Sequence, residues 1–199
     1  SAEVSVTASG DRVGGIVGTA DQLIVKNSTV FDSTIEGHNH TGGAVGIIKG
    51  SVINASVTNT SVIGSSRTGG VIGISVSGAS NEFKNLTFSG DVESDDRYVG
   101  GVMGRLVEGD LKQSRSSGSV FSSLNEDNTK VGGLVGGVEK HGRVLNSFTT
   151  SNVEGQHSIG GLVGSSLGGD IIKSFATGDV IGDGYLGGFA GVFYLPDDD

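Results

Sequence analysis

Apolar positions along the chain recur in short bursts rather than at helical spacing. A pentapeptide of two Gly, two small or apolar residues and a closing Gly appears seven times. It reads GGIVG from Gly14, GGAVG from Gly42, GGVIG from Gly69, GGVMG from Gly100, GGLVG from Gly132 and from Gly160, and GGFAG from Gly187. Successive copies start 28, 27, 31, 32, 28 and 27 residues apart. The residue before each copy (Val13, Thr41, Thr68, Val99, Val131, Ile159, Leu186) is always β-branched or aliphatic. Two more segments recur between copies. One centres on an amide, in the column Asn27, Asn54, Asn85, Gln113, Asn146, with Lys173-Ser174 standing at that place in the sixth repeat. The other is a polar–Val–polar run around Val92, Val120, Val153 and Val180. Each repeat therefore offers three short strand candidates bounded by Gly, Ser, Asn and Asp. Helix-period stretches with caps are absent.

Periods of 20–50 residues belong to solenoids, propellers or arrays. A propeller blade needs about 40 residues and four strands, more than these repeats hold. A period near 27 with three short strands is the size of one turn of a parallel β-helix. The expected fold is all-β: a right-handed parallel β-helix of about seven coils, roughly 34 Å long at ~4.8 Å per coil. It is one domain, with residues 1–13 as a partial first coil, 14–191 as the repeats and 192–199 as a C-terminal tail. The segment Ser1 to Asp11 reads as part of a coil rather than as a helical cap, with Glu3-Val4-Ser5 matching the polar–Val–polar column.

In such a coil, equivalent side chains stack into ladders. Val17, Val45, Ile72, Met103, Val135 and Val163 form the expected inward ladder, joined by the Val92–Val180 column. The amide column would hydrogen-bond along the axis. The Gly pairs suit tight corners through positive φ and close backbone approach. Strand alternation leaves Ile16, Ala44, Val71, Val102, Leu134, Leu162 and Phe189 either as an outward apolar stripe or, if the corner twists, as a second buried column. In the outward case Val102, Leu134 and Leu162 are a contact stripe.

Composition narrows the partners. The chain has 37 Gly but 1 Pro among 199 residues, which excludes collagen. With 13 Lys+Arg against 22 Asp+Glu its net charge is −9, and such a chain repels phosphate backbones, so nucleic acid is not expected. No apolar run approaches the ~18 residues of a membrane span. The absence of Cys rules out disulfides and is compatible with an exported protein. Ser1-Ala2-Glu3 carries no leader pattern, so the chain reads as cytosolic or as a mature or excised piece.

The run Gly160-Gly161-Leu162-Val163-Gly164 followed by Ser174-Phe175-Ala176-Thr177-Gly178-Asp179-Val180 resembles the bacterial GLUG-motif repeat, as does the stretch from Gly132 to Val153. The resemblance implies a β-helical repeat of large secreted or surface-anchored bacterial proteins. These include adhesins and immunoglobulin-A-specific metalloendopeptidases.

Candidate chemistry is sparse. HExxH is absent, so protease chemistry does not carry over. Ser and Thr are too abundant for one hydroxyl to stand out, and no Gly segment has a phosphate-loop context. His38-Asn39-His40 would share a strand face as a metal pair but lacks a third ligand. Asp91, Glu93, Asp95 and Asp96 are the candidate Ca²⁺ ligands, in a stretch expected to carry an inserted loop; Glu126 and Asp127 sit in a second insertion. Ca²⁺ takes six or more oxygens, and these supply three or four, so a solvated acidic surface competes with the metal reading. No other cofactor is implied.

The leading expectation is a non-catalytic structural or adhesive module of a large extracellular bacterial surface protein, a rigid spacer or contact surface. Its expected partners are a host or cell-surface protein or glycan, or another copy meeting it end to end or laterally. The alternatives are an accessory region of a secreted metalloendopeptidase and a carbohydrate-binding or carbohydrate-active β-helix.

Overall fold

A computed structural model describes residues 2–78, 81–95, 97–124 and 127–194. Among them there is no helix, and the paired strands run parallel to their neighbours in the coils above and below. The chain is a β-solenoid of about seven turns. The Gly-Gly segments form a narrow seven-stranded sheet of their own, from Val13–Gly14 through Thr41–Gly42 to Tyr185–Gly187. The remaining strands form one sixteen-stranded sheet that wraps the rest of each turn. Ala2–Thr7 pairs with Val17–Glu36, so the N-terminal segment adds to the coil stack. Its register puts Val6, not Val4, opposite Ile35 and hence in the polar–Val–polar column.

The C-terminal coils break into short strands, such as Val163–Leu167 and Asp170–Ile172, as expected, but the first two coils do not. Val17–Glu36 and Val45–Gly64 stay paired over 20 residues each, bending at single residues with positive φ. The amide column supplies one such bend in six coils: Asn27, Asn54, Asn85, Gln113, Asn146 and Lys173 all have φ between 49° and 56°. Asn tolerates this left-handed region best among residues with a Cβ, and Lys173 adopts it because the stack fixes the corner. A second bend runs through Asp32, Asn59, Gly90 and Gly118, and a third through Arg12, His40 and Arg67.

The expected inward ladder is present: Val17, Val45, Ile72, Met103, Val135 and Val163 pair in succession and continue to Ala190. All are buried except the half-buried Val17 and Ala190 in the two end coils. Val62, Val92, Val120 and Val153 form the second ladder, also buried, and Val180 packs against the core.

The proposed outward stripe is corrected by the structure. Val102, Leu134 and Leu162 are 0% exposed, as are Ala44 and Val71; only Ile16 and Phe189, in the end coils, are exposed. The reason lies in the backbone. The N–H groups of Leu134 and Val135 both donate to the Leu162 carbonyl, at 2.9 and 3.1 Å, and the other inner coils repeat this pairing. In a regular strand successive N–H groups point to opposite neighbours and side chains alternate. Two in a row pointing to the same coil break the alternation, so both side chains end inside.

The glycines follow from the same corner. A Cβ on Gly132 would lie 2.0 Å from the Val135 carbonyl oxygen, one on Gly133 2.2 Å from the Gly161 oxygen of the next coil, and one on Gly136 2.6 Å from the Gly104 oxygen of the previous coil. The pattern holds at Gly42, Gly69, Gly100 and Gly160 and, in looser form, at Gly14 and Gly187. Close approach, not positive φ, is the cause: among the described residues the glycines with positive φ are Gly50, Gly90, Gly109, Gly118 and Gly168, none of them in a GG-x-x-G repeat.

The two longer repeats hold their extra residues in different places from those expected. Ile48 pairs with Ser75 and Val52 with Phe83, so the first insertion falls between Ser75 and Phe83, not at Asp91. Asp91–Ser94 belongs to the regular strand Thr87–Ser94. The second insertion follows Ser122 and includes Asp127, as expected; Glu126 lies outside the described residues.

Two outcomes test this register. Val135→Asp places an unpaired carboxylate in the core and should lower stability by several kcal/mol, of order 3 or more, in denaturant titration. Gly133→Ala should cost about 3 kcal/mol through the backbone clash, whereas Gly188→Ala, the same column in the last coil, should stay within about 0.5 kcal/mol because nothing lies within 4 Å of that Cβ. Equal effects at Gly133 and Gly188 would refute the stacking argument.

Candidate functional site

The amide corner organises the most chemically varied surface. Each corner residue turns the chain and is followed by an inward residue, in the order Ser28, Ala55, Leu86, Ser114, Ser147, Ser174. The turn pulls one backbone N–H off its ladder, and serine replaces the missing acceptor. Leu86 N–H donates to Ser114 Oγ at 3.1 Å, Ser114 N–H to Ser147 Oγ at 3.1 Å and Ser147 N–H to Ser174 Oγ at 3.2 Å. Each of these hydroxyls donates back to a carbonyl two residues earlier, such as Ser114 to Lys112 and Ser147 to Leu145, both at 2.9 Å. Buried polar groups are thereby paired, as burial demands.

Outside the corner, the amides form the expected ladder at the N-terminal end. Asn54 donates to Asn27 and Asn85 to Asn54, both at 2.9 Å. The next outward column reads Thr29, Ser56, Thr87, Arg115, Phe148, Phe175. Phe148 and Phe175 stack with centroids 5.1 Å apart and planes 5° from parallel. Asn85, Thr87, Gln113, Arg115, Asn146 and Phe148 line a shallow groove of about 700 Å³.

On the other side of the corner runs a charged column. Glu82, Asp110, Arg143 and Asp170 are successive partners. Arg143 binds Asp110 through two bonds, Nε–Oδ1 at 2.6 Å and Nη2–Oδ2 at 2.7 Å, and Lys112 Nζ lies 2.7 Å from Asp110 Oδ2. Burial works to raise the Asp110 pKa, but hydrogen bonds from Arg143 and Lys112 outweigh it and hold the carboxyl below its usual range. The Arg143 guanidinium is raised in turn, chiefly by its hydrogen bonds to Asp110.

A further cluster sits at the corner before the Gly-Gly strand. Arg105 and Lys130 stand 5.1 and 5.0 Å from the Tyr98 ring centroid, and Arg105 pairs with Glu139 at 2.9 Å. Burial lowers the Lys130 pKa, with Arg97 and Arg105 adding to the effect. The cluster satisfies itself.

The acids expected to bind Ca²⁺ are on one face but do not converge. Asp91, Glu93 and Asp95 are exposed while Val92 and Ser94 between them are buried; Asp96 lies outside the described residues. Among the described residues no three His, Cys, Asp or Glu side chains are grouped to hold a metal. His38 and His40 take separate partners. His38 Nδ1 lies 3.1 Å from Asp11 Oδ1, an interaction that lowers the Asp11 pKa, helped by Asn39. His40 Nε2 faces Arg67 at 3.5 Å, and burial, then the Arg67 charge, keeps its pKa low.

Sequence reasoning missed one motif. Gly164-Ser165-Ser166-Leu167-Gly168 has the G-x-S-x-G spacing of a nucleophile elbow. It lies in the strand Val163–Leu167, however, and Ser166 is buried with its hydroxyl donated to the Gly169 carbonyl at 3.0 Å. A strand-to-helix turn that would expose the serine is not there. The Arg115–Phe148–Phe175 column was also missed; aligning the residue two past each amide reveals it.

The Asp110 pair has a measurable consequence. A depressed folded pKa means that its stabilisation is complete above the unfolded value near 3.9 and is lost as pH falls through the lower folded value. Asp110→Asn should therefore lower stability by about 1 kcal/mol at neutral pH and make no difference near pH 2. Thermal melts across pH 2–7 check this; a difference that stays constant down to pH 2 would refute it.

No curated protein and no solved structure gives a significant match to the chain. The run that begins one residue after Glu154 and closes the sixth coil, residues 155–181, matches the family model described as the GLUG motif.

Proposed function

We propose that the chain is a non-catalytic structural and adhesive repeat module of a large extracellular bacterial protein, serving as a rigid spacer that presents a contact surface. The observation that carries this reading is the in-register stacking, which turns side chains into continuous outward columns on a hydrogen-bonded rod. The GLUG match over 155–181 supports a repeat module. The lack of cysteine suits export. The chemistry of the site fits a non-catalytic role: Ser166 is sequestered, with its hydroxyl donated to the Gly169 carbonyl, and the exposed acids Asp91, Glu93 and Asp95 lie along one face.

Beads coated with the purified chain should attach to animal cells or extracellular matrix well above beads coated with albumin. The same preparation should release no peptides from casein and no reducing ends from polysaccharides. Attachment equal to albumin, or turnover of either substrate, would overturn the reading.

A further inference from the structure

The amide column changes character along the rod. From Asn27 to Asn85 the amides bond to one another, at 2.9 Å each. Farther on, the side chains of Gln113 and Asn146 have no hydrogen-bond partner among the described residues, and both are exposed. In these same coils the flanking column switches from hydroxyls (Thr29, Ser56, Thr87) to Arg115, Phe148 and Phe175. The Arg115 guanidinium is exposed and likewise has no side-chain partner among the described residues. No carboxylate lines the groove between these groups, in a chain whose net charge is −9.

From these groups we infer that the groove is a binding site for an acidic saccharide, a sugar chain bearing carboxylates, laid along the rod axis. The inference deepens the contact-module reading and rests on it. The stacked pair Phe148 and Phe175, with Phe175 exposed, offers an apolar surface against which the C–H face of a pyranose ring packs. Free amides each offer donors and an acceptor, which suits vicinal hydroxyls and N-acyl groups. A free guanidinium binds a carboxylate through two parallel hydrogen bonds. Gln113 and Asn146 stand in adjacent coils, ~4.8 Å apart, so two neighbouring sugars along the axis each meet an amide. A peptide is disfavoured here because this face lies in the interior of the sheet, where the backbone groups that β-augmentation uses are already engaged between coils.

The test measures binding of oligogalacturonate, its fully methyl-esterified form and dextran to the whole chain by titration calorimetry. Oligogalacturonate should bind at least about tenfold more tightly than the ester, and added salt should weaken it. Arg115→Gln should remove that preference, a loss of about tenfold, without changing the melting curve. Phe148→Ser with Phe175→Ser should weaken both the acid and its ester. Asn54→Ala, in the self-bonded half of the column, should leave both affinities within about twofold. The site is overturned if the wild type binds no probe, if acid and ester bind equally, if Arg115→Gln retains wild-type affinity, or if Asn54→Ala costs as much as Arg115→Gln. Those outcomes leave the bead attachment standing, whereas cleavage of a probe by the chain would overturn the non-catalytic reading itself.

Discussion

Backbone against backbone at the Gly-Gly corner is the contact on which the rest of the molecule depends. There the chain doubles back so closely that the oxygen of Val135 occupies the place of a side chain on Gly132, and the oxygen of Gly161 does the same for Gly133. With no side chain between them, consecutive coils sit at strand spacing on this side as on the others. The apolar pair after the glycines can then turn inward together, and Leu134 with Val135 and Leu162 with Val163 fill the end of the core. A bulkier residue at the corner would pry the coils apart and unseat every ladder at once.

The core itself is thin, one side chain deep from each wall, and it tolerates variation by exchanging volume between neighbours. Phe88 occupies a column that holds Val57 below it and Ser116 above, and its ring lies where a Cβ on Gly70 would be. Ser116 fills its smaller space by donating to the Gly133 carbonyl at 2.6 Å. Buried serines and threonines are therefore part of the closure of the backbone network rather than packing defects.

Much of this was legible in the amino-acid sequence, because a fixed period with fixed apolar partners leaves few architectures. The ladders through Val135 and Val120 and the amide column follow from register alone, which period 2 makes strict. Three things were not legible. The inward turn of Val102, Leu134 and Leu162 depends on two successive amides pointing the same way, which pattern alone does not encode. The first insertion, between Ser75 and Phe83, was misplaced because its composition matches that of the strands around it. The role of the serines after the amide is the third, because nothing in the pattern says which backbone N–H a hydroxyl meets; here the hydroxyls repair the ladder that the amide corner interrupts.

The hydrogen bonds between coils all run along the rod. Tension applied to the two ends therefore does not shear a sheet; it loads one seam at a time, as in a zip opened from its end. Each seam that gives way frees a coil of 27 to 32 residues. At ~3.4 Å per extended residue this is about 90–110 Å of slack, drawn from a coil only ~4.8 Å thick. Between two anchored surfaces such a rod is stiff under small loads and lengthens in discrete steps under large ones, with the longest steps coming from the two enlarged central coils.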